Sequence, residues 1–309
     1  MKLFSAAICL LFLTSFLTLP VFAQKVETEG ELFNQISALT KTKKADDQEK
    51  AYQLGKDFIS KFGKNNDDEV KKVREFMETY EIAFVGRKID EGKTAEAFTF
   101  GKEVMTQEPD NAHLAMTLAY AGYLALVNKK DKSLGQDSIQ FAQKALQLLN
   151  DKKLPSNFQP FTDQDDATAM MYYTIATFSV DSNLSDAAQN FYKSLQYNTK
   201  VKNNSYPYYI IAFNYEKQYE KAAKDFDAKY GAATTSTAEM RTAEASLEKL
   251  LGNMQDAYAR AVKLGEAENA PKVNEWKQRY AQIYSFIKGS DAGSAEFLAN
   301  VLATPMPAP

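Results

Sequence analysis

The stretch AEAFTFGKEVMTQEPDNAHLAMTLAYAGYLAL, residues 95–126, reads as two apolar helices with a stop between them. Glu108-Pro109-Asp110-Asn111 ends the first, because proline cannot continue a helix and biases the preceding residue away from helical backbone. The second places Ala119, Ala121 and Gly122 in its middle. Small side chains there admit another backbone at short range, which predicts helix hairpins stacked on one another.

Composition agrees with helices. Of 309 residues, 45% are hydrophobic and 25% charged, with only 9 prolines and 13 glycines, the balance of a mostly helical chain. The net charge of -3 and the lack of a basic stripe with interleaved aromatics argue against nucleic acid as a partner.

Residues 1–23, MKLFSAAICLLFLTSFLTLPVFA, carry one lysine, an apolar run, Pro20, and small or aliphatic residues at Val21 and Ala23. This is the pattern of a secretory signal peptide cut before Gln24, and the apolar run falls short of the roughly 20 residues of a spanning helix. Cys9, the single cysteine, lies inside it. The processed chain therefore holds itself together by packing alone, without disulfides, which suits a periplasmic or secreted bacterial protein.

A repeated signature runs along the rest: an alanine or serine early in a helix, with a small or aromatic residue four positions on and a small or apolar one seven positions on, where Lys229 departs from it. It starts at Ala51, Ala97, Ser138, Ala187, Ala222 and Ala257, spaced 46, 41, 49, 35 and 35 residues apart. Each copy follows another amphipathic segment and a short polar turn, as in IIAFNYEKQYEKAAKDF, where the turn is expected ahead of Ala222. The unit resembles the tetratricopeptide repeat of about 34 residues. Pro109, twelve residues after Ala97, and the pair Leu118 and Ala119 make that copy the best match. The resemblance implies an all-α fold of antiparallel helix hairpins stacked into a right-handed superhelical solenoid. It spans residues 24–302, is clearest over 45–265, and leaves 303–309, with its TPMPAP, as a disordered proline-rich tail.

Chemistry-bearing motifs are few. IAFVGRKIDEGKT at 82–94 imitates a phosphate-binding loop, but five residues separate its glycines instead of four, and Asp90 and Glu91 would stand beside the phosphates. A hairpin turn at Gly92 explains it better. His113 is the only histidine, which excludes any arrangement needing two, and a serine–histidine–aspartate triad in this chain would have to use it. The acidic groups at 46–47, 65–69 and 163–166 sit in expected turns or helix starts, and the last lacks the glycine and distal glutamate of a calcium loop. No cofactor, metal site or catalytic centre is expected.

What remains is surface. In tetratricopeptide proteins the first helix of each hairpin lines a concave groove, and the resemblance puts there His113, Met116, Tyr120 and Tyr123, then Met170 and Tyr173, then Tyr206, Tyr209 and Phe213. Such stripes also fill ordinary cores. A separate set, Leu118, Ala119, Ile175, Ala176, Ile211 and Ala212, already supplies a core face, and a helix apolar on two faces is either deeply buried or offers one to a partner. The long turn 150–166, with Leu154, Phe158 and Phe161, is placed to lie across the stack or to lid the groove. The resulting expectation is a non-catalytic scaffold that binds an envelope or secreted protein or peptide and meets membrane only through that partner. The alternative is a helical solute- or glycan-binding protein of an uptake system. Intact-mass measurement of the exported protein should give a chain starting at Gln24; a mass that retains residues 1–23 would refute the processing.

Overall fold

A computed structural model describes residues 27–308, so the expected signal segment and Cys9 lie outside the described residues. The described chain is all-α, with twelve α-helices and no strand. It divides at Met77/Glu78 into two compact units, a boundary that the repeat pattern does not mark.

The first unit contains α1 (Glu29–Thr40), α2 (Ala45–Phe62) and the opening turns of α3 (Asp68–Asp90). Thr28 starts α1 with a capping box: its hydroxyl accepts from Glu31 N while Glu31 Oε2 accepts from Thr28 N, satisfying two otherwise orphaned donors. Leu32, Ile36, Ala51 and Phe58 are buried between α1 and α2, with Phe58 tilted against Phe33 and Phe62. Gly55 lets Met77 come close, since a Cβ at Gly55 would sit 3.1 Å from its side chain.

The second unit continues α3 and adds α4 (Thr94–Gln107), α5 (Ala112–Lys129), α6 (Gly135–Asn150), α7 (Gln164–Ser179) and α8 (Leu184–Ser194). After a 3-10 turn at Lys200–Asn203 come α9 (Ser205–Tyr230), α10 (Ala238–Glu268), α11 (Val273–Lys288) and α12 (Ser294–Asn300). Within this unit helices pack mainly on their sequence neighbours, in solenoid-like order. The stop at Glu108-Pro109 stands where expected, and Asn111 caps α5 by accepting from Leu114 N at 2.9 Å. Gly92 adopts the left-handed conformation, φ 77°, in the turn between α3 and α4, and Gly86 lies inside α3, so the phosphate-loop imitation is helix and hairpin turn.

The small residues of α5 serve close packing. A Cβ at Gly122 would fall 1.7 Å from Ser138 Oγ of α6, and one at Gly101 of α4 would fall 2.3 Å from Leu118 of α5. All six expected core positions, Leu118, Ala119, Ile175, Ala176, Ile211 and Ala212, are buried.

Two expectations are overturned. No turn precedes Ala222: α9 runs unbroken from Ser205 to Tyr230, because Pro207 falls in its first turn, where its missing N–H costs no helical bond, and nothing from Tyr208 to Tyr230 is Gly or Pro. The turn comes instead at 231–237, and Thr237 caps α10 by accepting from Met240 N. Ala222 and Ala257 thus belong to one long hairpin, whose outer part, residues 216–252, has no fully buried residue. The C-terminal segment is also held in place rather than disordered. Val301 is buried, Met306 packs on the core, and Arg260 Nη2 donates to Thr304 O at 2.9 Å.

Gly122→Ala should therefore destabilise the protein by about 1–3 kcal/mol through overpacking against Ser138. Gly252→Ala, where nothing stands within 4 Å, should stabilise α10 by roughly 0.5–1 kcal/mol. Urea denaturation of the two variants checks both signs.

Candidate functional site

Eight aromatic rings follow one another through the second unit. Phe161 meets Tyr120 edge-on at 5.3 Å, Tyr120 stacks near Tyr123 at 6.0 Å, and Tyr123 meets Tyr173 edge-on at 5.6 Å. Tyr173 then meets Phe191 at 5.1 Å, Phe191 meets Tyr206 at 5.8 Å, and Tyr206 tilts against Tyr209 at 6.5 Å. The series ends where Tyr209 stacks on Trp276 of α11 at 4.8 Å and 17°, with Phe213 on its other neighbour position at 6.1 Å and 20°. Offset and edge-on pairs at these separations are the favourable aromatic geometries, so the rings hold each other's orientation.

The series changes character along its length. At the α5 end it is covered. His113 is buried, its Nε2 donates to Gln159 O at 2.8 Å, and its Nδ1 lies 3.3 Å from Glu78 Oε1. The hydrogen bond with His113 holds the Glu78 carboxyl below its usual range, more than burial raises it. Ser156 Oγ donates to the same carboxylate oxygen. Met116 is fully buried, and Phe158 and Phe161 of the 150–166 turn pack on the same core. His113 and Met116 are thus core residues, correcting their placement in an open groove: the turn lids that end with its own apolar side chains.

In the middle, Tyr173 is only 5% exposed and also belongs to the core. Asn204 Nδ2 donates to its hydroxyl at 2.9 Å, and Asn204 Oδ1 accepts from Tyr206 N, so one side chain both fixes Tyr173 and caps α9. Burial is the main cause of the upward pKa shift of Tyr173, which keeps it a neutral phenol. Tyr120, Tyr123 and Met170 are half-buried, and Met170 packs against both cores of the unit.

At the α9 end the series opens. Tyr206, Tyr209 and Phe213 line a cleft of ≈ 750 Å³, facing Val180 and Leu184 from the α7–α8 junction and Trp276 from α11. The floor is fixed by Glu268, the last residue of α10, which accepts from Ser205 N at 3.2 Å and from Ser205 Oγ at 2.7 Å. A carboxylate at the start of α9 also meets the positive end of that helix. Tyr206 is 37% exposed at the rim, beside Asp181 and Lys272.

Three of the nine expected groove residues thus meet in one cleft, and Trp276, its largest ring and the only tryptophan of the chain, is an addition. Its rarity was the one signal available in the sequence, since it stands two helices beyond the last groove residue. Among the described residues no cluster of three or more His, Cys, Asp or Glu is placed to hold a metal ion, and no helix is long and apolar enough to cross a membrane. Comparison with known families, curated proteins and solved structures finds no match for this chain.

The difference between the two ends is measurable. Met116→Ala should cost about 2–5 kcal/mol as a buried truncation, whereas Tyr206→Ala should cost under about 1 kcal/mol, because the ring already meets water. Thermal melts that ranked them the other way would put Tyr206 in the core.

Proposed function

We propose that this protein is a non-catalytic, tetratricopeptide-like scaffold, exported to the cell envelope, that binds a peptide segment of an envelope or secreted protein in the cleft between the α7–α8 junction, α9 and α11. The observation that carries the reading is the convergence of Tyr206, Tyr209, Phe213 and Trp276 on one open cleft of ≈ 750 Å³. That volume lies within the range of ordinary ligand sites, and tyrosine and tryptophan are the residues that most often dominate binding energy at interfaces. The rim adds the Asp181 carboxylate, paired with Lys132, and an ammonium at Lys272, which suit the mixed polarity of a peptide backbone and its side chains.

The alternative, a glycan or other solute of an uptake system, needs an open aromatic face for a sugar ring to stack upon. Tyr209 is stacked by Trp276, with Phe213 nearly parallel to it, and Trp276 is only 6% exposed. The cleft therefore presents ring edges and side-chain-sized apolar walls, which favours a peptide.

A photo-crosslinking phenylalanine analogue at Tyr206, tested in intact cells, should give a discrete protease-sensitive adduct. The adduct should disappear when Phe213→Ala is added, a truncation worth on the order of 2 kcal/mol at an interface hot spot. The same analogue at Phe286, an exposed position outside the cleft, should give none. Trp276 provides a second reading, because occupancy of the cleft should shift its emission. If oligosaccharides shift that emission while no peptide adduct forms, the glycan alternative replaces this one.

A further inference from the structure

A second cavity, ≈ 440 Å³, lies between α8, the 3-10 turn, α10 and the C-terminal segment. At its wall stands Arg260, only 4% exposed. Its Nε donates to Asp256 Oδ1 at 2.6 Å, and its Nη2 donates to Asp256 Oδ2 at 3.2 Å and to Thr304 O at 2.9 Å. Nη1 has no acceptor among the described residues. Arg260 lines the cavity, so Nη1 is open to an acceptor that enters it.

Asp256 neutralises Arg260, so the charge of the cavity is decided by Lys202, whose Nζ pairs with no carboxylate among the described residues. Leu195, Leu264 and Met306, with the ring of Tyr208, form its apolar walls. Tyr208 spends its own hydroxyl proton on Lys202 O at 3.2 Å. One positive charge and one free guanidinium nitrogen beside a hydrocarbon wall match a single carboxylate carried on an apolar body. Of the guanidinium only Nη1 is open to such a ligand, because Nε and Nη2 are committed to Asp256 and Thr304.

We infer that this cavity is a binding site for a small amphipathic monocarboxylate, its carboxylate between Lys202 Nζ and Arg260 Nη1 and its hydrocarbon chain against Leu195, Leu264, Tyr208 and Met306. The site shares no residue with the aromatic cleft and does not depend on what that cleft binds.

Isothermal titration of the full processed chain with octanoate should show saturable 1:1 binding. Octanol, which keeps the chain and loses the charge, and acetate, which keeps the charge and loses the chain, should each bind at least about tenfold more weakly. Lys202→Gln should weaken octanoate by about tenfold and Lys202→Arg should retain it. Tyr206→Ala, in the other cleft, should leave it unchanged. Octanol binding as tightly as octanoate, octanoate binding that ignores Lys202→Gln, or octanoate binding lost with Tyr206→Ala would each overturn the assignment. Because Lys202 is half-exposed on a short 3-10 turn, its substitution leaves the core intact, and a melting curve of each variant verifies this. Absence of any octanoate signal in both titration and ligand-observed NMR would overturn it as well.

Discussion

The second unit depends on how closely α5 can be approached. From Ala112 to Ala125 nearly every residue is buried or half-buried, so this helix must be surrounded, and it can be surrounded only if its neighbours come within the distance that glycine permits. Gly122 gives Ser138 of α6 the space of a missing Cβ, and Gly101 of α4 does the same for Leu118 of α5. Ridge-into-groove packing sets helix separation by the side chains at the contact, so two glycines bring three helices together. Phe98 of α4 shares that contact, its ring 3.2 Å from where a Gly122 Cβ would stand. Tyr120 and Tyr123 of α5 meet Phe161 and Tyr173.

Local signals were legible in the sequence and remote ones were not. The stop at Pro109 and the turn at Gly92 are decided by backbone chemistry within a few residues, and each stands where the sequence put it. The six positions that the repeat resemblance puts on the core face are buried. The break expected ahead of Ala222 is missing because local propensity outranks a repeat pattern. Tyr215-Glu216-Lys217-Gln218-Tyr219-Glu220-Lys221 contains only residues that continue a helix.

Periodicity identifies an apolar face without saying what covers it. His113 and Met116 lie on the same face as Tyr120, yet they are covered by residues 158–161, some 45 positions along the chain, through a carbonyl that accepts from the histidine and two phenylalanines that fill the space beside it. Such a cover carries no periodic signature, since it comes from an irregular turn. Trp276 escaped for the related reason that it enters the cleft from a helix outside the repeat pattern. The groove expected along the whole stack is thereby filled by the chain at one end and open at the other.

The open end is held in shape by bonds that do not involve a ligand. Glu268 ties the end of α10 to the start of α9, Asn204 ties the same start to Tyr173, and Trp276 is stacked on Tyr209 before anything binds. Ordering side chains on association commonly costs about 0.5–1.5 kcal/mol each, and here most of the rings are already fixed by their neighbours. At the rim Tyr206, Asp181 and Lys272 are exposed, and Asp181 is paired with Lys132 at 2.5 Å. An apolar interior set in advance and a small polar rim therefore act differently on a partner. The rings supply affinity for any suitably shaped apolar side chain, and discrimination between partners falls to the charges around them.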